Sequence, residues 1–231
     1  MHGELYNPWV LNAVYNHYPL VMLDRNLPGS DVPYVGVDNV NLSKQVGLEL
    51  FRRGHRNISL IMLEDDYSSS LKERVNGFIE ASLEVGAPIH KDLWMRRLWE
   101  YAQAEGVDKE GPESHEIYVH VIAEHLLRHP EITAIYGTEY RVSVAAWDAA
   151  RKIGRRVPQD ISIVSFDFNP SNLGYHVLTH VEQPQRELGA ASVALMVDIL
   201  KGNEPEKRQY LFDGNWVEGN SLADCPAEAE K

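Results

Sequence analysis

Residues 157–189 read VPQDISIVSFDFNPSNLGYHVLTHVEQPQRELG, and their pattern indicates two strands followed by a helix. An apolar run over residues 161–164 follows a turn and stops near Asp167, which is typical of a buried strand that ends in one carboxylate. A second short strand is predicted over residues 177–182, and Pro184 then begins a long amphipathic helix. Open α/β sheets bind ligands at the carboxyl ends of their strands, so Asp167 is the first candidate site residue.

The alternation of strands and helices extends outward from this stretch in both directions. Further strands are predicted at residues 19–23, 34–37, 58–63, 132–136 and 209–212. Helices are predicted at residues 7–18, 39–50, 68–86, 113–129, 141–153 and 185–201. Residues 87–112 carry aromatic residues without a clean period, so we expect a strand and an irregular excursion there. Because parallel neighbours need crossover connections, the pattern predicts an α/β fold with doubly wound parallel sheets.

The composition is that of a globular protein with a sizeable core. The 231 residues are 44% hydrophobic and 24% charged, with a formal net charge of -12. This acidic surplus would repel a phosphate backbone, because nucleic-acid affinity comes from clustered Lys and Arg. The single cysteine, Cys225, cannot form a disulfide within the chain, and neither a membrane-length apolar run nor a signal-like start is present. These features predict a cytoplasmic chain that contacts neither membrane nor DNA by itself.

Several phrases of the sequence occur in an order that is characteristic of one protein family. They are PLVMLDRNLPGSDVPYVGVDN, GLELFRRGHRNISLI, ERVNGFIEASLEVG, EITAIYG, ARKIGRRVPQDISIVSFD and LTHVEQPQRELGAASVALMVDIL. Together they resemble the effector-binding core of the lactose-repressor/galactose-repressor (LacI/GalR) family of bacterial transcription regulators. The resemblance implies a two-lobed, periplasmic-binding-protein-like fold with a small effector in the cleft between the lobes. In the family, a DNA-binding head and part of the first lobe precede the segment that begins here, so we expect the first lobe to be incomplete.

The resemblance also implies three crossings between the lobes, near Leu63, Gln183 and Arg208. The predicted first lobe therefore consists of residues 1–63 and 183–207, and the second lobe of residues 64–182 and 208–231. The family resemblance further implies a homodimer that reaches operator DNA only through a head absent from these residues.

Two charged side chains have the strongest case for ligand binding. Asp167 could accept two sugar hydroxyls through charge-assisted hydrogen bonds, or it could serve only as a turn cap. Arg74, in the first turns of its predicted helix, offers a fixed fork of donors that suits a polyol or carboxylate, or it could be a solvated helix-face charge. The resemblance places effector-contacting residues of the family at both positions.

Four further residues are candidates for the same cleft. Asp24 ends a predicted strand, where a structural turn role is the alternative, and Tyr136 could stack on a ring or belong to the core. Glu139 stands where the family usually has Asn, so an amide contact to a sugar hydroxyl is replaced by a larger acidic group. Ser70 could present its hydroxyl to an anion at a helix N-terminus, or it could cap the helix in a capping box with Glu73.

The sequence contains no arrangement of residues that predicts catalysis. HExxH, GxSxG, P-loop and GxGxxG motifs are missing, and the histidines of the predicted helix at residues 113–129 do not share one face for a metal. We therefore predict the effector-sensing domain of a transcription regulator that binds a sugar or related small polar metabolite and is not an enzyme, with no metal and no cofactor. The alternative is the sugar-binding protein of a transport system with the same fold.

Overall fold

The computed structural model describes residues 7–27, 29–64, 68–109, 111–169 and 178–226. The strands are β1 (Met22–Leu23), β2 (Tyr34–Val37), β3 (Ile58–Ile61), β4 (Ala134–Gly137), β5 (Ser162–Phe166), β6 (Thr179–Glu182), β7 (Gln209–Phe212) and β8 (Asn215–Val217). The helices are α1 (Pro8–Tyr15), α2 (Asn39–Arg52), α3 (Ser69–Val85), α4 (Trp99–Ala104), α5 (Pro112–Arg128), α6 (Tyr140–Lys152) and α7 (Gln185–Leu200). Strands and helices alternate along most of the chain, as predicted.

The strands form two sheets of different size. The smaller sheet is parallel and has the order β1-β2-β7. The larger sheet has the order β3-β4-β5-β6-β8 and is parallel except for β8, which runs antiparallel to β6. Helices connect β3 to β4 and β4 to β5, because a tight turn cannot join parallel neighbours. The predicted two-lobed α/β fold with mainly parallel sheets is confirmed.

The larger sheet has a hydrophobic core on each of its faces. In β3, Leu60 packs into one core and Ile61 into the other, and in β5 the neighbours Val164 and Ile163 divide in the same way. Side chains of a strand alternate between faces, so a continuous apolar run is buried on both sides. Helices α5 and α6 cover one face, and α2 and α3 cover the other. This sheet is therefore doubly wound, as its apolar strands predicted.

Helices α2 and α3 approach each other closely because α3 carries a glycine at their contact. A Cβ atom added at Gly77 would lie 2.1 Å from the carbonyl oxygen of Val40 on α2. The next residue, Phe78, is buried, and its ring centroid lies 6.0 Å from that of Tyr136 in β4. The two helices and the sheet thus form one packed unit, which fixes the first turns of α3, where Arg74 lies.

Strand pairing differs from the predicted division into lobes at two places. We expected residues 58–63 in the first lobe and residues 208–231 in the second. In the structure, β3 pairs with β4 in the larger sheet, and β7 pairs with β2 in the smaller one. A short apolar strand does not reveal its sheet, and α2 already packs on the larger sheet. The chain therefore passes between the sheets after β2, after β6 and between β7 and β8.

Smaller differences concern the lengths of elements. β1 is shorter than the strand predicted at residues 19–23. The strand expected within residues 87–112 is reduced to a bridge between Ile61 and Met95, beside a 3₁₀ turn at Lys91–Leu93. Residue 177, the predicted start of the strand before Pro184, lies outside the described residues. Among the described helices, none has the length and hydropathy needed to cross a membrane.

The smaller sheet and its helices expose apolar side chains. None of the residues of α1 is buried, and Trp9 and Tyr15 are 79% and 84% exposed. Helix α7 buries Leu188 and Leu195 but exposes much of Val193. Neighbouring exposed aromatic and aliphatic side chains are typical of a contact surface. This lobe therefore offers a surface that a second chain could cover.

Candidate functional site

A cavity of about 400 Å³ lies where strands of both sheets end. Asp24 follows β1 of the smaller sheet, whereas Glu139 and Asp167 follow β4 and β5 of the larger one. The first turns of α3 add Ser70 and Arg74 to the lining. The carboxyl ends of parallel strands are where open α/β sheets bind ligands. The structure therefore brings five of the six predicted site residues together around one cavity.

Tyr136 is the sixth predicted site residue, and the structure corrects its assignment. Its side chain is fully buried, and its hydroxyl lies 2.6 Å from Oγ of Ser43 on α2. Burial also raises the pKa of this phenol. Because side chains alternate along a strand, this position of β4 faces the α2–α3 core, not the cavity. Tyr136 is a core residue, the alternative that the sequence left open.

Arg74 is held in place by protein groups alone. Its Nε donates to Oδ1 of Asn39 at 2.9 Å, and its Nη1 donates to the carbonyl oxygen of Thr138 at 2.7 Å. The guanidinium carbon lies 3.6 Å from the centre of the Phe166 ring, and the residue is only 4% exposed. Arginine remains ionised in proteins. Arg74 is therefore a fixed positive charge in the wall of the cavity.

The carboxylate of Asp167 is hydrogen-bonded to the segment that joins β6 to α7. Nε2 of Gln183 donates to both carboxylate oxygens, at 2.7 and 2.8 Å. Burial raises the pKa of Asp167, whereas the charge of Arg74 and the bond from Gln183 lower it. Asp167 and Asp24 both have a positive φ, +73° and +66°, and such strain in residues other than glycine is concentrated at functional sites. At both strand ends, the Asp residue therefore has an uncommon backbone conformation that the surrounding structure must hold.

Glu139 and Asp24 each have one carboxylate oxygen that lacks a partner. Oε2 of Glu139 is buried and makes no hydrogen bond among the described residues. Burial raises the pKa of Glu139, and the nearby Arg74 charge opposes this shift. Oδ1 of Asp24 is likewise buried without a partner, whereas Oδ2 of the same carboxylate lies 3.9 Å from Nε of Arg25. Because buried polar atoms are normally hydrogen-bonded, these two oxygens are unusual and require an explanation.

Ser70 lines the cavity but does not form the predicted capping box. The N-cap residue of α3 is Ser68, and its Oγ lies 2.8 Å from Oγ of Ser70. The carboxylate of Glu73 accepts a hydrogen bond from Asn39 and does not reach back to the helix start. The capping prediction is wrong, because the packing of α2 against α3 gives Glu73 a different partner.

Several functional candidates were not assigned a ligand role from the sequence. Gln183, which we expected only at a crossing between the lobes, also lines the cavity, together with Arg25 and Tyr140. Asn39 holds Arg74 from the start of α2. Gln183, Tyr140 and Asn39 all come soon after the end of a strand. The same positional signal that identified Asp167 would therefore have found them.

A second cavity, of about 930 Å³, lies at the opposite end of the smaller sheet. Its lining includes Leu11, Pro33, Ile199 and Arg208, and the last precedes β7. Although this cavity is larger, its lining contains none of the predicted site residues and no residue of the larger sheet. The cavity between the two sheets is therefore the better candidate site.

Replacing Glu139 with glutamine is expected to stabilise the ligand-free protein near pH 7.5, by roughly 1–3 kcal/mol, because glutamine fills the same space without the charge that burial disfavours. The pKa of Glu139 is raised in the folded state. The penalty for ionising it is therefore absent below the ordinary glutamate pKa of about 4.3 and grows as the pH rises through the folded-state pKa. The gain should therefore vanish near pH 4.

Urea unfolding of both proteins at the two pH values measures this difference. Glu116, exposed on α5, provides the control, and Glu116→Gln should leave the free energy of unfolding unchanged at both values. An equal gain from Glu139→Gln at both pH values would mean that ionisation of Glu139 costs nothing in the folded state.

Comparison of the sequence with known protein families agrees with a fold that binds a ligand between two lobes. Residues 48–222 match the periplasmic binding protein-like domain. The chain belongs to this domain family. The HTH-type transcriptional regulator CelR of Thermobifida fusca is 30% identical to it over 203 residues, which make up 87% of this chain and 53% of that relative. The chain thus spans about half the length of this relative.

Two solved structures have the same fold as this periplasmic binding protein-like chain. One is described as a transcriptional regulator CelR-cellobiose complex, with a TM-score of 0.79 and 24% identity, covering 96% of this chain and 64% of that one. The other is a regulatory protein of the LacI family from Chloroflexus aggregans, with a TM-score of 0.77 and 25% identity, covering 96% and 74%. The resemblance to the LacI/GalR effector-binding core is thereby confirmed.

Proposed function

We propose that this chain is the effector-sensing core of a bacterial transcription regulator and that it binds a sugar or related small polar metabolite between its two lobes. One observation supports this proposal above all. The cavity between the sheets is lined by Asp24 from one side and by Arg74 and Asp167 from the other. Ionised side chains form stronger hydrogen bonds than neutral ones, so such a site suits a ligand rich in hydroxyl or amino groups.

We assign the lobes by sheet membership. The first lobe contains β1, β2 and β7 with α1 and α7, and the second contains the larger sheet with α2 to α6. In this proposal a ligand that contacts both lobes favours one angle between them, as in hinge closure. Gln183, which donates to Asp167, lies in one of the connections between the sheets. Ligand contact at Asp167 would therefore act directly on a hinge segment.

We further propose that the regulator is a cytoplasmic homodimer without catalytic activity. The exposed apolar side chains of α1 and α7 support contact between two chains. DNA recognition belongs in this proposal to a separate module, because the net charge of -12 does not suit a phosphate backbone. The alternative, a transport-type sugar-binding protein, is less well supported because the relative described above is a transcription regulator.

Replacing Asp167 with asparagine should weaken effector binding by about 1.5–3 kcal/mol, the usual contribution of a hydrogen bond to a charged group. Titration calorimetry with a sugar that stabilises the wild-type protein measures this loss. Asp148→Asn is a matched control, because Asp148 pairs with His115 on α5 and does not line the cavity. Equal affinity in wild type and Asp167→Asn would remove Asp167 from the site.

A further inference from the structure

The geometry points to an effector that carries a cationic nitrogen, such as an amino sugar, with the nitrogen held between the carboxylates of Glu139 and Asp24. This inference rests on the proposed function, because it names the chemical class of ligand for the same cavity. It goes further because a neutral sugar does not need an ionised group on each side of the cleft.

The hydrogen-bonding state of the lining residues supports a ligand that donates. Oε2 of Glu139 and Oδ1 of Asp24 are acceptors that are buried without a partner. Three donor atoms of the lining are already used within the protein, because Nε and Nη1 of Arg74 bond protein oxygens and Nε2 of Gln183 bonds Asp167. A protonated amine is a donor without acceptor capacity. It therefore fits the two unsatisfied oxygens better than a hydroxyl does.

The balance of charge in the lining favours the same ligand. Carboxylates of Asp24, Glu139 and Asp167 face the guanidinium groups of Arg25 and Arg74. A cation would offset the surplus negative charge, whereas a phosphate or carboxylate would add to it. Charges act more strongly on each other near a protein surface than in bulk water, so this surplus contributes to ligand choice.

Two features of the cavity wall could suggest other ligands. Helices α3, α6 and α7 begin at the cavity, and helix N-termini attract anions. At α6, however, the N-cap residue is Glu139, whose own negative charge lies at that terminus. Tyr140 also lines the cavity, with the Phe168 ring edge-on to it at 5.7 Å between centroids. Aromatic rings attract cations as well as sugar faces, so this wall accommodates an amino sugar.

The placement of the two carboxylates on different lobes would let a bound cation influence closure of the lobes. Asp24 follows β1 of the smaller sheet, and Glu139 follows β4 of the larger one. A cation that contacts both carboxylates would be attracted by one charge from each sheet. The amine would therefore favour the closed arrangement of the lobes.

Thermal-shift assays followed by calorimetry near neutral pH test this inference with matched probes. The pairs are D-glucosamine with D-glucose and D-galactosamine with D-galactose. N-acetyl-D-glucosamine, glucose 6-phosphate and magnesium chloride serve as neutral, anionic and metal controls.

We expect at least one amine to bind the wild-type protein roughly 10-fold or more tightly than its hydroxyl counterpart, the effect of one charged hydrogen bond. Glu139→Gln should bring this ratio close to one, and the exposed Glu116→Gln should preserve it. Asp24→Asn is a second variant if Glu139→Gln does not fold.

The outcomes separate this inference from the proposed function. Equal binding of amine and hydroxyl sugars, stronger binding of the phosphate or of magnesium, or a preference that persists in both cavity variants would overturn the cationic ligand and leave a sensor of another small molecule. No binding by any probe overturns the inference and also counts against a sugar effector.

Discussion

Replacement of Arg74 by alanine is expected to lower the free energy of unfolding by about 3 kcal/mol or more, because two buried acceptors would each lose a charged hydrogen-bond donor. The guanidinium is 4% exposed and donates to Asn39 and Thr138. Its loss would leave both acceptors unpaired and would remove the positive charge that lowers the pKa values of Glu139 and Asp167. Ligand binding should be abolished as well.

Urea unfolding provides the measurement, and two further variants make it specific. Arg74→Lys keeps the charge but not the fixed fork of donors, so we expect an intermediate loss. Arg151→Ala, at an exposed position of α6, should change stability by no more than about 0.5 kcal/mol. An Arg74→Ala protein that unfolds at the wild-type urea concentration would show that the observed bonds do not stabilise the fold.

The second large effect is expected from alanine at Gly77. Alanine normally favours a helix over glycine by about 1 kcal/mol, so only a clash can make this change unfavourable. Here the new Cβ would lie 2.1 Å from the carbonyl oxygen of Val40 and 2.9 Å from the amide nitrogen of Lys44. Both atoms belong to the backbone of α2, which cannot rotate away. We therefore expect a loss of about 3 kcal/mol, near the upper end of the range for overpacked sites.

Gly189 in α7 is a matched control for this change. It also lies inside a helix, but a Cβ there would meet nothing within 4 Å. Gly189→Ala should therefore be neutral or stabilise by up to about 1 kcal/mol. If denaturant unfolding shows the same change for both variants, the close contact between α2 and α3 is not what positions α3.

Much of the fold was predictable because periodicity and turn residues act locally. The strand Tyr34–Val37 was predicted with its observed ends, and α7 differed from its prediction by one residue. The partner of β3 was not predictable, since the apolar run of residues 58–63 suits either sheet equally well. Strand pairing is a long-range property, and here it depends on where α2 packs.

The candidate site was predictable where a residue's place along a strand determines its direction. Asp24 and Asp167 follow strands in the sequence and line the cavity in the structure. Tyr136 shows the limit of this reasoning, because it lies within β4 and faces the core, whereas Glu139, beyond the strand end, faces the cavity. The pairing of Gln183 with Asp167 was hidden because it depends on how β5 and β6 align.

Hydrogen exchange with and without the sugar that gives the largest thermal shift tests most directly whether an effector binds between the two lobes. Binding between the lobes predicts slower amide exchange in segments from both sheets, around Asp24 on one side and around Arg74 and Glu139 on the other. Slower exchange in one sheet alone, or only around Leu11 and Arg208 at the second cavity, would contradict it.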